Sequence, residues 1–503
     1  MRPMPGFVAL ALASLAASML MAEPEKKGGP PLRRPEDIET APFPRALLLN
    51  GRAFPQVASF APRLPEPKRT FYVALSGPPG DGSRSRPWTD LQVAFRQLVP
   101  GDRLQILHGE YRGSFSIDDT CRNGTAEAPI EVFFEASGLE PEAAQPALSV
   151  KRAFWYFERL HASLADHEGP GLEVSSHDVL FDNAFIQKGR GPGIRVAPGA
   201  SRVTIAHANI LKIGVTQPGP DSVGVEIAPR TREVQIVASR LYQNPAGSIR
   251  VDAARDDADA SDIALEDNSI RDDGGPGIAL LGGERVKIAR NTIFYGRRTK
   301  TPSRAIVVEA AHGVTIENNR ISDAAEAIRI GFADVNGGPF LRSQDVTIAR
   351  NALDSAIPKG IAIAVEAGRK VRITNNVIEG YDDAILILSA PPQTEAVSVA
   401  NNLVLSVSDV AFVLADAKAA AFFDYNVFSP KGESVDAQAG KETLDLTKFL
   451  TQGKMPHTKA VKGVALRNRD LSAIDGVATV DQGKAFKGIS FKGVAPDIGV
   501  AEK

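Results

Sequence analysis

The sequence predicts an all-β solenoid, a parallel β-helix with an N-terminal amphipathic capping helix, and three observations predict it. A phrase close to V-x-I-x-x-N-x-I returns from the middle of the chain almost to its end: Val286–Ile293, Val314–Ile321, then runs ending at Asn351, Asn376 and Asn402. From Asn268 the asparagines step by 23, 28, 32, 25, 26 and 24 residues to Asn426. An imperfect repeat of that length, built of short β-branched runs, marks a solenoid. A second apolar run follows each phrase, as in Gly277–Leu280, Ala305–Val308, Ala327–Ile330, Gly360–Val365 and Ala384–Leu388, with Gly, Asp and Ser between. Helix-length patterns are few there.

Each phrase alternates: Val314 and Ile316 point one way and Thr315 the other, a strand with one buried face. Stacked coils then pair equivalent strands in parallel, about 4.8 Å apart, with inward Ile, Val and Leu in columns. The asparagine suits a corner, because its short amide tolerates the left-handed conformation and can stack into a hydrogen-bonded ladder. Looser copies are expected at Asn183, Asn209, Asn268 and Asn426, with Arg240 in the asparagine place of one. A leucine-rich horseshoe would need L-x-x-L-x-L runs and helical backs, and a propeller a longer period with Trp-Asp marks. Neither is present, and the only tryptophans are Trp88 and Trp155.

The 503 residues are 43% hydrophobic and 23% charged, enough for a large folded body. With 58 basic against 60 acidic residues the net charge is −2, so nothing points to a nucleic-acid partner. Residues 1–22 read as a signal peptide: Arg2 precedes an apolar stretch from Phe7 to Leu20, too short for a membrane span. Residues 23–68 hold ten of the 35 prolines and read as a linker. The β-helix is expected over 69–430 and a C-terminal capping segment over 431–503. A secreted or periplasmic monomer, with no membrane span once the signal is removed, follows from these readings. Leu91, Ala94, Phe95 and Leu98 share one face of a helix between Pro87 and Pro100, placed to cover the first coil. Cys121 is the sole cysteine, so no internal disulfide forms, and no base adjoins it in sequence.

The stretch from Phe71 to Gly77, Ser85–Trp88, Pro100–Leu104, His108–Arg112 and Gly124–Ile130 resembles the entry to secreted right-handed parallel β-helix proteins of the pectate-lyase-like superfamily. Asp424–Phe428 and Ala495–Glu502 are similar to that superfamily's terminal segment. The resemblance implies a right-handed coil and a carbohydrate-active role, as a lyase on an acidic, uronic-acid polysaccharide. A non-catalytic glycan-binding or surface-scaffold protein, a uronan C5-epimerase and a glycoside hydrolase are the alternatives. The superfamily's catalytic motifs do not carry over: W-x-D-H and R-x-P-x-x-R are absent. Asp382-Asp383 lacks the companion glycine-histidine-glycine of polygalacturonases, and Ser176-His177-Asp178 keeps only the last two residues of the epimerase D-P-H-D.

The glycine-led strands align so that their central residues face outward: Glu173, Arg195, Glu226, Arg250, Ala279, Val307, Arg329, Ala362, Leu386. In the resembled superfamily the substrate groove lies along one such face, walled by the loops that enter it. Those loops bring Lys188, Arg190, Tyr242, Asn244, Asp272, Asp273, Tyr295, Arg297, Arg298 and Lys300. β-Elimination needs a cation on the uronate carboxylate, a base for the C5 proton and an acid for the leaving oxygen. Arg195, Lys188 or Arg190 can neutralise, Arg250 or a lysine of lowered pKa is the candidate base, and Tyr242 the acid. Glu173, Glu226, Asp272, Tyr295, Arg298 and Arg329 are the expected binding residues. The alternating charges also make ordinary cross-strand pairs, each worth roughly 0.2–1 kcal/mol. Asp252, Asp256, Asp257, Asp259 and Asp262 crowd one loop and offer oxygens to Ca2+, without the D-x-D-x-D-G order. His161, His167 and His177 are expected to be scattered by the corners.

Overall fold

The computed structural model describes residues 48–49, 52–53, 64–141, 144–165, 167–216, 219, 221–252, 260–271, 273–295, 303–331, 343–389, 391–430, 436–439, 442–445 and 457–460. From Arg69 onward the chain winds through three parallel sheets. One coil runs His177–Asp182 in the first sheet, Phe185–Gln187 in the second and Ile194–Val196 in the third, and Ser201–Ala206 returns to the first. Each strand pairs in register with its equivalent one coil on, as Val179 with Val203, Ile186 with Ile210 and Leu172 with Ile194. The predicted parallel β-helix is therefore the fold. Parallel pairing continues past residue 430, through Asp436–Ala439 and Lys459–Ala460.

The interior is a set of stacked apolar columns. Phe157, Phe181, Ile205, Ile236, Leu265, Ile288, Ile316, Ile348, Ile373 and Val399 follow one another down the first sheet, all buried. Burying each such side chain is worth about 1.5–3 kcal/mol, so the column is a main source of cohesion. The capping helix, α1 (Leu91–Gln97), buries Leu91, Ala94 and Phe95, with Leu98 just beyond, as its spacing predicts. Asp90 caps it, accepting from the Val93 amide at 2.9 Å, and Phe95 meets Trp155 edge-on at 6.0 Å.

Asparagines do form a ladder between the first and second sheets, but one column away from where the sequence suggested in the early coils. The rungs are Asn268, Asn291, Asn319, Asn351, Asn376, Asn402 and Asn426, each backbone amide donating to the next asparagine Oδ1 at 2.9–3.0 Å. Ser239 precedes them, its amide donating to Asn268 Oδ1 at 3.0 Å, and Thr458 Oγ1 accepts from Asn426 at 3.3 Å. Asn183 precedes the rung position, held by Ala184, while Asn209 and Arg240 follow it as the first residues of second-sheet strands. The left-handed corner is likewise the residue before the rung: Asp267 (φ 59°), Arg290 (56°), Asn318 (55°), Arg350 (56°), Asn375 (57°) and Asn401 (58°). The rung asparagines themselves are buried, and satisfy backbone groups of two neighbouring coils.

Candidate functional site

The third sheet presents the charged column. Strand register places Glu173 beside Arg195, Arg195 beside Glu226, and Glu226 beside Arg250, on four successive coils. Arg195 lies between two carboxylates, with its Nε 3.1 Å from Glu226 Oε1 and its Nη1 3.9 Å from Glu173 Oε2. Arg250 reaches Glu226 Oε2 at 3.5 Å, Asp252 Oδ1 at 2.7 Å and Asp221 Oδ1 at 3.0 Å. Glu226 is thus clamped between two guanidinium groups and only 7% exposed, whereas Arg195 is 40% exposed. Burial raises the Glu226 carboxyl above the usual glutamate value of 4.5, and the two arginines only partly offset that.

Arg250 does not fit the expected role of base. Burial works against its charge, but Asp252, Asp221 and Glu226 more than compensate and hold the guanidinium above its usual pKa. Two of these partners escaped the sequence reading. Asp252 lies two residues beyond Arg250, just past the end of its strand, so the period-two rule extended by one residue could have found it. Asp221 comes from the loop entering the strand of Glu226, one coil earlier, and no sequence signal marks it.

Other expected site residues are placed elsewhere. Tyr295 is fully buried, donating its hydroxyl to the Arg304 carbonyl at 2.7 Å, and is core rather than binding surface. Tyr242 ends a second-sheet strand, beside Leu211 and Arg271 in register, and does not share the face of Arg250. Arg329 joins a separate cluster two coils beyond Ala279, bonded to Glu326 at 2.9 Å and to Glu366. Its register partner is Ala364, not Ala362, since an unbroken apolar run carries no polar residue to fix which position is central. Lys188 is exposed at a left-handed corner (φ 68°), and Arg190 pairs with Glu168 at 3.4 Å. Asn244 and Asp273 are buried corner residues, the Asn244 amide donating to Asp273 Oδ1 at 2.9 Å. Asp272, Arg297, Arg298 and Lys300 lie outside the described residues.

The aspartate-rich loop divides. Asp252 turns to Arg250 and Asp262 to Arg285, at 2.7 Å each, while Asp256, Asp257 and Asp259 lie outside the described residues. Among the described residues no three His, Cys, Asp or Glu side chains gather in a metal-holding group. His161 stands in the second sheet beside Phe185, His177 in the first beside Asp178, and His167 in a loop. Cys121 is buried, and burial raises its thiol. Among the described residues no helix is long and apolar enough to cross a membrane.

Residues 223–404 match the family model described as a right handed beta helix region. No curated protein matches the chain. Among solved structures, PfbA, a surface adhesin of Streptococcus pneumoniae, is 10% identical with a TM-score of 0.51, over 70% of this chain and 89% of that one. A mannuronic acid specific polysaccharide family 6 lyase from human gut microbiota is 14% identical with a TM-score of 0.47, over 78% and 91%. A pectate lyase is 15% identical with a TM-score of 0.40, over 87% and 97%.

Proposed function

We propose that this right-handed parallel β-helix is an exported carbohydrate-active protein that holds an acidic polysaccharide along the outward face of its third sheet and cleaves it by β-elimination. The observation that carries the reading is Glu226, a buried carboxyl with raised proton affinity, clamped between Arg195 and Arg250. A uronate carboxylate docks on the exposed edge of Arg195, and neutralising it acidifies the C5 proton. Glu226 takes that proton; a base whose pKa lies nearer the working pH does so more effectively. The C5–H electron pair forms the C4–C5 double bond, the C4–O bond breaks, and the departing oxygen is protonated by solvent. Arg250 positions Glu226 rather than acting on the sugar, and Tyr242, on another sheet, stands outside the scheme. Support at the level of fold comes from the family match over residues 223–404.

A non-catalytic glycan-binding protein is the second reading. It is favoured by the ion pairing of both guanidinium groups within the protein, Arg195 with two carboxylates and Arg250 with three. Incubation with a panel of polyuronates separates the two. A lyase raises the ultraviolet absorbance of the unsaturated product, and Glu226→Gln abolishes that rise while leaving retention in affinity electrophoresis. Retention of polymer with no absorbance change in the wild type leaves only the binding reading. If Arg195→Ala and Arg250→Ala alter neither retention nor turnover, the site is wrong.

A further inference from the structure

The same coils carry a second concavity on a different face. On the first sheet, Tyr156, Leu180, Thr204 and Gln235 stand on successive rungs. They line a groove of about 320 Å³ together with Asp178, Arg202 and Glu233. Its apolar part is Leu180, which lines the groove, packs with Ala206 and Val237 beside it, and carries Tyr156 against that cluster. Its wall is built by a repeated irregularity. The register passes from His177 to Val179 and from Ser201 to Val203, leaving Asp178 (φ 54°) and Arg202 (φ 50°) out of the ladder, with Glu233 (φ 54°) next in that column.

The chemistry of the lining is specific. Arg202 grips Asp178 through two parallel contacts of 2.8 Å, so these two charges cancel. Glu233 then leaves the groove slightly acidic, which disfavours a polyanion. What remains is the Tyr156 ring beside the Leu180 side chain, with a hydroxyl at Thr204, an amide at Gln235, a carboxylate at Glu233 and the phenol of Tyr156. Burial, with Asp178 nearby, keeps that phenol protonated. An apolar surface rimmed by a few convergent polar groups matches the two faces of a sugar ring, C–H groups against the aromatic and hydroxyls toward the rim.

We propose that this first-sheet groove is a second glycan subsite, selective for a neutral pyranose and separate from the third-sheet site. It does not rest on the lyase reading, because neither Glu226 nor Arg195 takes part. The test is calorimetric titration of the full chain with cellohexaose, mannohexaose and laminarihexaose. At least one is expected to bind the wild type. Thr204→Trp, an outward substitution that fills the groove, and Gln235→Ala, on the rim, should each weaken that binding about tenfold or more. Retention of polyuronate should be unchanged in both, and Glu226→Gln should leave neutral-sugar binding as it was. Thermal unfolding of the variants at the wild-type midpoint confirms folding, and Gln235→Ala carries the test if Thr204→Trp does not fold. Failure of all three oligosaccharides to bind, or undiminished binding by the folded variants, overturns the proposal.

Discussion

Asn291 Oδ1 accepts from both the backbone amide and the side-chain amide of Asn268, each at 3.0 Å, so one atom joins two coils twice. The same geometry recurs at every asparagine rung down to Asn426. It makes the corner between first and second sheets a continuous polar seam inside an otherwise apolar body.

Removing one rung should be costly. Asn319 accepts from Asn291 and donates to the Ile288 carbonyl at 2.9 Å and to Asn351 Oδ1 at 3.0 Å. Asn319→Ala strands buried donors and an acceptor, with an expected loss of about 3 kcal/mol in urea unfolding. Asn318→Gly, at the left-handed corner beside it, should change stability by only about 0.5 kcal/mol, since glycine adopts that conformation freely. Equal effects of the two substitutions would contradict the assignment of the rung.

The proposed chemistry predicts a pH limb. Glu226 must be ionised to accept a proton, and burial sets its pKa above 4.5. Turnover of polyuronate should fall as pH drops through that raised value, and Glu226→Gln should be inactive throughout. Its polymer retention should persist, because Arg195 remains. A wild-type rate flat down to the ordinary glutamate range would exclude Glu226 as base.

Asp383 supplies a stability test away from that site. Burial first, then Asp409 and Asp382, raise its carboxyl from 3.8 to about 6. Between those values the folded chain binds a proton that the unfolded chain does not, so this group's favourable contribution is complete below 3.8 and lost as pH rises through about 6. Asp383→Asn should therefore raise the thermal midpoint at about pH 7.5 and change it little at about pH 3.5. A lower midpoint for the variant at the higher pH would refute this account.

Tyr295 separates core from site. Its hydroxyl donates inside the coil, to the Arg304 carbonyl at 2.7 Å and the Gly275 carbonyl at 3.3 Å. Tyr295→Phe should cost about 1 kcal/mol of stability and leave polysaccharide retention unchanged. Weaker retention by a folded variant would restore the residue to the binding surface.

Several errors of the sequence reading share a cause. The rung has a left-handed residue before it, such as Asn183, and a strand-start residue after it, such as Asn209, so three adjacent columns carry asparagine. Where the rung is Ala184, Ala208 or Ser239, the neighbouring Asn183 or Asn209 is the only amide visible, and the alignment slips by one. The charged column was easier. Glu173, Arg195, Glu226 and Arg250 each sit between two apolar residues behind a nearby glycine, so alternation alone fixed their side of the sheet.

The first-sheet groove left no such trace. Tyr156, Leu180, Thr204 and Gln235 come from four coils and share no residue type, and the Asp178–Arg202 pairing depends on a left-handed residue in each strand that alternation does not reveal. The chain by itself determined that it would coil and which residues would face inward, because period-two burial and a repeated corner are local properties. Only the stacked structure decided which charges cancel, how deeply Glu226 is enclosed and where a cavity opens, because those depend on neighbours brought together by the coil length and not by the sequence distance between them.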